Sequence, residues 1–178
     1  CASDWIYWLN SEQQIVYVSP SCEKITGYTP EEFYKDSQLI NRIIDCQDEN
    51  LVTSHFEEYN VDQVHAFEFK IITKTGMKRW ISHVCAPVRG EKGNFLGRRA
   101  TNRDITEQKQ VQEALRENEV KYRTLFETTD DAILLFTQDK WVDCNTAALK
   151  VFGCTREQII GSHPKSFSPP TQPDGRSS

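Results

Sequence analysis

The stretch of sequence that decides the fold is residues 67–106, which read FEFKIITKTGMKRWISHVCAPVRGEKGNFLGRRATNRDIT. It opens with apolar residues at every second position, as in a strand with one buried face. A Lys-Thr-Gly turn at 74–76 and a Gly-rich turn at 89–94 divide the stretch into three apolar runs,. The pattern predicts three strands of an antiparallel meander.

Upstream, the segments 4–9 and 15–18 are rich in aromatic and β-branched residues and flank a polar stretch, which predicts a β-hairpin,. Short helices should separate this hairpin from the meander. Because two strands, several helices and three strands follow one another, we expect an α+β fold in which short helices flank a five-stranded antiparallel sheet.

Three helices are expected in the connecting segment. Ser19 is the predicted N-cap of the first, with Pro20 at the first helical position and Gly27 at its end,. Thr29 is the predicted cap of the second. Apolar residues at helical spacing over 48–59 indicate the third.

Downstream of the meander, Asp104 and Glu107 fit a capping box that opens a long helix,. Its apolar positions follow the 4-3-4-3 spacing of a coiled-coil seam, with one polar member, and comprise Val111, Leu115, Asn118, Tyr122 and Leu125,. An amphipathic helix packed on its own domain remains an equal alternative. If the seam is real, Asn118 fixes the register and favours a parallel pair.

A repeat then begins, since residues 147–157 match residues 21–31 at a constant offset of 126,. The second copy runs into a Pro-rich stretch without a second meander. We therefore expect a complete domain over 1–104, a helical linker over 105–124 and the first half of a second domain over 125–178. A lone hairpin is marginally stable, so this half should be loosely held or should borrow a strand edge from another chain.

Composition excludes some classes of partner. The 178 residues carry a net charge of -5, which argues against general nucleic-acid or anionic-membrane binding, and no apolar run is long enough for a membrane span. Without an initiating Met or a signal peptide, we expect a segment of a longer polypeptide. The six cysteines form no CxxC pair, so we expect free thiols and a cytoplasmic location. No catalytic or metal-binding motif is present.

Several short motifs occur together in a specific order. They are Ser-Pro-Ser at 19–21, Gly-Tyr-Thr-Pro-Glu-Glu at 27–32, Lys-Thr-Gly at 74–76, Arg-Trp-Ile at 79–81, Pro-Val at 87–88, Gly93 and Asn-Arg-Asp-Ile-Thr at 102–106. In this order the chain resembles a PAS domain with its PAC motif, of the tandem sensory type found in bacterial and archaeal signalling proteins. The resemblance implies a sheet that can enclose a small-molecule pocket and a C-terminal helix that carries the signal.

The resemblance also points to candidate residues. Inward positions on two strands become ligand-pocket candidates, namely Phe67, Phe69, Ile71, Ile81, His83 and Cys85. His83 and Cys85 share one face, but two ligands do not make a metal site, so packing and a hydrogen bond are expected. The signal-relay candidates are Asp104, Ile105 and Thr106, which match the family's hinge, followed by the seam residues.

Arg99 lies where family pockets place a polar group. An inward guanidinium there needs an anionic partner, so an acidic small-molecule ligand is expected. The alternative is an outward Arg99 on a solvated face, because its neighbour Arg98 must point the other way.

The cofactor stays unknown. Haem-binding relatives use a His on the third helix, but His55 lies about one turn from that position. The flavin photoreceptors carry an Asn-Cys-Arg signature, whereas residues 41–46 read NRIIDC. The motifs therefore disfavour haem and covalent flavin chemistry, and leave non-covalent flavin open.

Two functions compete. The first is a cytoplasmic sensory module that binds a small ligand, dimerises through the linker helix and relays a signal to an output domain, with a histidine kinase favoured over a diguanylate cyclase. The second is a ligand-free interaction and spacer domain whose core is filled.

Overall fold

The computed structural model describes residues 4–48, 50, 52 and 63–167. The strands are β1 Trp5–Asn10, β2 Ile15–Val18, β3 His65–Ile72, β4 Lys78–Arg89, β5 Phe95–Asp104, β6 Leu134–Thr137 and β7 Lys140–Cys144. The helices are α1 Ser21–Thr26, α2 Pro30–Lys35, α3 Leu39–Arg42, α4 Thr106–Thr128, α5 Thr146–Phe152 and α6 Arg156–Ile159. Nearly all of the helix expected over 48–59, with His55, lies outside the described residues.

The first five strands form the predicted five-stranded antiparallel sheet, in the order β2-β1-β5-β4-β3. The hairpin of β1 and β2 joins the meander because β1 pairs with β5, with Trp5 opposite Asn102 and Asn10 opposite Gly97. The two segments that are most distant in sequence are thus neighbours at the centre of the sheet. The predicted fold class is confirmed.

Polar contacts bind one end of β2 and the C-terminal half of β3, the two edge strands of the sheet. At one edge the Tyr34 hydroxyl accepts a hydrogen bond from the backbone N–H of Val18 at 2.9 Å. At the other edge, the backbone N–H of Lys70 in β3 donates to the Asp48 carboxylate at 2.8 Å, and its carbonyl accepts from Asp45 N–H at 2.9 Å. Such contacts remove the free edges through which sheets aggregate.

The inner face of the sheet packs against α1, α2 and α3 in one hydrophobic core. Its largest fully buried side chains include Trp5, Phe33, Ile71 and Ile81. On β4 and β5 the inward residues alternate with half-exposed or exposed ones, as the period of two requires. Strand alternation therefore decides which polar residues enter the interior.

The helix starts follow the predicted signals, with one correction. Thr29 and Glu32 form a capping box at α2, with Glu32 accepting from the Thr29 N–H at 3.0 Å. However, α1 begins at Ser21, one residue later than expected, so Ser19 is not its N-cap. The Ser19 hydroxyl instead accepts from the Ile6 N–H of β1 at 2.8 Å, which ties the hairpin together.

The chain divides into two compact units, Cys1–Gln112 and Glu113–Ser178. In the second unit β6 and β7 form a hairpin whose core contains Cys144, Ala148 and Ile159. Asn145 is fully buried there, and its side-chain oxygen accepts from the N–H groups of Ile133 and Ala148, both at 2.9 Å. Edge sharing with another chain stays a prediction.

None of the helices in the described ranges combines the length and the apolar character that a bilayer span requires.

Gly97 provides a test of the sheet geometry. Its φ is +139°, and a Cβ added there would lie 1.9 Å from the Leu9 carbonyl oxygen in β1. We expect Gly97→Ala to lower the free energy of unfolding by at least about 2 kcal/mol more than Gly76→Ala does, because the clash lies between backbones. Gly76 also has a positive φ, +83°, but has no atom within 4 Å of that position.

Urea unfolding of both variants measures the difference. Equal losses of stability would show that β1 and β5 do not approach each other as described.

Candidate functional site

Six of the seven predicted pocket residues, all except Arg99, lie on the inner side of the sheet. Five of them are buried and the sixth is half-buried against the core; the set is Phe69, Ile71, Ile81, His83 and Cys85, with Phe67 as the half-buried member. The inward orientation expected from strand alternation is thus observed. Their role as ligand contacts stays a prediction.

A buried polar chain crosses this face. His83 Nδ1 lies 2.7 Å from the side-chain oxygen of Asn102, and the Asn102 amide nitrogen donates to the Trp5 carbonyl at 3.2 Å. Because that amide group must donate to Trp5, its oxygen faces the imidazole, so Nδ1 carries the proton of the neutral ring. The remaining ring nitrogen of His83, Nε2, is then unprotonated and acts as a hydrogen-bond acceptor. We call His83, Asn102 and Trp5 the interior cluster.

The surroundings of His83 keep it neutral. Burial lowers the pKa of the imidazole from 6.5 to about 4, against the opposing effect of the hydrogen bond with Asn102,. The rings of Phe67 and Phe69 lie with their centroids 4.9 and 6.0 Å from the imidazole, and that of Tyr7 at 6.4 Å. The interior cluster is therefore a polar group set in an aromatic environment.

The inward arginine is Arg98, whereas Arg99 takes the outward orientation that the sequence left as the alternative to a pocket position. Arg98 is 4% exposed, and its guanidinium donates to the Gln63 carbonyl at 2.7 Å and to the Cys85 sulfur at 3.2 Å. Arg99 is exposed on the outer face, because Ala100 is inward and neighbouring residues of a strand alternate. The expected acidic ligand rested on Arg99 and loses that support.

A second polar cluster joins β4 to the start of α4. Arg79 donates to one carboxylate oxygen of Asp104 at 2.8 Å, and the same guanidinium nitrogen lies 3.1 Å from the Lys24 carbonyl in α1. The other Asp104 oxygen accepts from the Thr106 N–H at 2.9 Å. Asp104 thus caps α4, although the helix begins at Thr106, one residue later than expected.

The backbone of Trp80 completes this connection. Its N–H donates to the Thr106 hydroxyl and its carbonyl accepts from the Ile105 N–H, both at 2.9 Å. We call Arg79, Trp80, Asp104, Ile105 and Thr106 the latch. The structure therefore brings together all three hinge residues expected from the sequence.

The first turn of α4 is also held by its side chains. Lys109 lies 2.6 Å from the Glu68 carboxylate and 5.2 Å from the centre of the Trp80 ring. Lys70 lies 4.7 Å from the same ring. Beside the latch is an open cleft of about 600 Å³, with Lys24 and Ile25 on one side and Gln110 of α4 on the other.

The seam residues further along α4 are solvent-exposed. Leu115 and Leu125 are 69% and 72% exposed, and Val111, Asn118 and Tyr122 are exposed as well. Exposure of this apolar seam is what a helix that pairs with another chain requires.

The haem candidate His55 lies outside the described residues. Within the described part of the chain, no three His, Cys, Asp or Glu side chains are grouped as metal ligands would be.

Two family models match the chain. One, described as the PAS fold, matches residues 15–102, and the other, described as a PAS domain, matches residues 120–177. The chain belongs to the PAS family. The first match ends before α4, and the second begins within α4 and continues through the segment that contains the internal repeat.

The relatives are signalling proteins. A blue-light-activated histidine kinase of Brucella ovis is 25% identical over 107 residues, which is 59% of this chain and 21% of that protein. The chain therefore spans about a fifth of the length of the curated relatives it matches. A PAS domain of this type is a sensory domain of signalling proteins.

Two solved structures share the PAS fold. A sensory box histidine kinase/response regulator from Burkholderia thailandensis has a TM-score of 0.51 at 22% identity, covering 69% of this chain and 92% of that one. The N-terminal domain of a diguanylate cyclase with a PAS/PAC sensor from Marinobacter aquaeolei has a TM-score of 0.52 at 17% identity, covering 59% and 97%. At these identities the likeness shows the fold alone.

The depressed pKa of His83 predicts how stability depends on pH. As pH falls from 6.5 towards about 4, the unfolded chain takes up the proton first, so protonation favours unfolding. Between pH 7 and pH 5 we expect His83 to cost about 2 kcal/mol of stability. His83→Gln keeps a hydrogen-bond donor but does not titrate, so this variant should lose less stability than the wild type over the same interval.

Urea unfolding of both proteins at the two pH values gives the comparison. Identical pH dependence would contradict the assignment of a buried, neutral His83.

Proposed function

We propose that the chain is a sensory module that passes a change in its first PAS copy into α4 and from there to an output domain. The observation that carries this proposal is the latch, in which Arg79 of β4 binds Asp104 at the end of β5 and Trp80 binds Ile105 and Thr106 at the start of α4. A helix attached to a sheet through so few groups can be displaced by a small change at one strand end.

The interior cluster and the latch share the same two strands. His83 pairs with Asn102, and two residues along each strand Ile81 pairs with Asp104. A ligand that forms a hydrogen bond with the interior cluster would alter the pairing of β4 with β5. The proposed relay carries that change to Asp104 and so to the cap of α4.

We also propose that the protein is a homodimer that pairs through the seam. The exposed 4-3-4-3 spacing supports this pairing, and Asn118 within the seam favours a parallel pair in register. Parallel helices would deliver the same displacement from both protomers to the output domains.

The proposed output is a histidine kinase, supported by the Brucella ovis relative, and a diguanylate cyclase is the second candidate. We propose a cytoplasmic location, supported by the free thiols of the described cysteines, Cys22, Cys46, Cys85, Cys144 and Cys154,.

A ligand-free spacer is the competing function. The dense packing of Phe69, Ile71 and Ile81 in one core favours it, because a spacer needs a filled interior,.

Native mass spectrometry against the denatured mass separates the two functions. The sensor proposal predicts a dimer that carries an additional non-covalent mass. Its release on denaturation would identify the ligand. A dimer without added mass, even after incubation with an extract of small metabolites, would instead support the spacer.

A seam variant tests the dimer. Leu115→Lys places a charge in each helix of the pair, so we expect the dimer dissociation constant to rise at least about tenfold. Asn118→Leu should change the association strength or the oligomer number, because the polar residue that specifies a dimer is removed. Sedimentation equilibrium measures both, with Glu117→Gln outside the seam as the control.

A solution mass that is the same in all four proteins would show that the seam is not a dimer contact.

A further inference from the structure

Within the second unit, one carboxylate near the C-terminal end of α4 binds the first residues of both α5 and α6. One Glu127 oxygen accepts from the Thr146 N–H at 2.9 Å and from the Thr146 hydroxyl at 2.8 Å. Thr146 is the first residue of α5, so Glu127 satisfies a helix-terminal N–H that has no partner within α5. Asn145 is the N-cap of α5, and Glu127 adds a further acceptor at this helix start from a different helix.

The other Glu127 oxygen binds an arginine. Arg156, the first residue of α6, lies 2.9 Å from it, and a second guanidinium nitrogen lies 3.0 Å from Asp143 of β7. Arg156 also donates to the Cys144 carbonyl. We call Glu127, Asp143, Thr146 and Arg156 the clamp. Its hydrogen bonds from Thr146, with the Arg156 charge beside them, hold the pKa of Glu127 below its ordinary value.

Two further features lie near the end of α4. Phe126 is the one α4 side chain that is buried among those described, and its ring stacks on Tyr122 with centroids 5.3 Å apart. Arg123, one turn before Glu127, lies 3.5 Å from Asp143. Ionic contacts of Arg123 and Glu127 therefore join the last two turns of α4 to β7 and α6.

The clamp residues of the second PAS copy have no equivalents in the first copy. At the offset of 126, positions 143, 146 and 156 correspond to Tyr17, Pro20 and Pro30. None of these side chains forms an ion pair, and the two prolines have no backbone N–H to donate. The shared signals are kept, since Thr155 forms a capping box as Thr29 does. The first copy therefore folds without these contacts, and among the two copies the clamp belongs to the second.

We propose that the second PAS copy responds to a displacement of α4 through the contacts of Glu127. The helix then receives the structural change from the first copy and transmits it to the second. The proposal rests on the relay proposed above. Displacing the last turn of α4 removes the acceptor of the Thr146 N–H at the start of α5 and one of the two carboxylates bound to Arg156. Glu127 is thus a positioning residue for α5 and α6.

Amide hydrogen exchange of the full chain, followed residue by residue by NMR, tests this inference. Glu127→Gln keeps one oxygen but loses the second oxygen and the negative charge, so Thr146 and Arg156 compete for one weaker acceptor. The Thr146 amide should then exchange about fivefold faster, and the amides of α6 should also exchange faster. Glu117→Gln makes the same charge change on the same helix at an exposed position and should leave these rates unchanged. Arg156→Lys provides a second variant if Glu127→Gln alters the fold.

Unchanged Thr146 exchange in both clamp variants would overturn the inference. A latch variant, Asp104→Asn, separates it from the relay. Faster Thr146 exchange in Asp104→Asn, with no further increase in the double variant with Glu127→Gln, supports transmission through the clamp. Faster exchange in Glu127→Gln but wild-type exchange at Thr146 in Asp104→Asn supports the clamp contact and overturns the relay.

Discussion

The antiparallel pairing of β4 with β5 is the constraint on which the rest of the structure depends. The pairing of His83 with Asn102 fixes which face of the sheet each residue of the two strands points to. It therefore decides which side chains enter the interior. It also sets the strand ends so that Arg79 and Asp104 meet where α4 begins. If the pairing slipped by one residue, the interior cluster would face solvent and the latch would separate.

Much of the fold could be predicted because the local signals are strong. The alternation around Phe67, the turn at Gly76 and the cap at Thr29 each have a direct physical meaning, and the repeat identified the second copy. The α1 start was placed one residue early because Ser19 can cap a helix or bind a strand, and only the folded hairpin offers the Ile6 N–H.

The candidate site was less predictable. Arg99 was named as the pocket candidate because the sequence alone does not show which residues of β5 face inward. The structure shows that Ala100 and Asn102 face inward, and Arg98 shares their face. Asn102 was missed as a partner of His83, although counting in steps of two from an inward position would have found it. Arg156 was missed because its partner, Glu127, is 29 residues away and no local pattern joins them.

The long helix α4 connects these observations. At its start it is held by a carboxylate, Asp104, that accepts from its own first turn and from Arg79. At its end it carries a carboxylate, Glu127, that accepts from the first N–H of another helix and binds Arg156. Between the two lies an exposed seam. A helix of this kind, attached by a few polar groups at each end, suits a chain in which PAS copies act in series.

The most direct test of the account is whether the interior cluster and the latch are coupled. The backbone amides of Trp80 and Ile105 belong to the latch, so their NMR chemical shifts report on it. We predict that His83→Gln moves both resonances, whereas Val84→Ala, a change to the exposed neighbour on the same strand, leaves them in place. Unmoved Trp80 and Ile105 resonances in a folded His83→Gln protein would contradict the account.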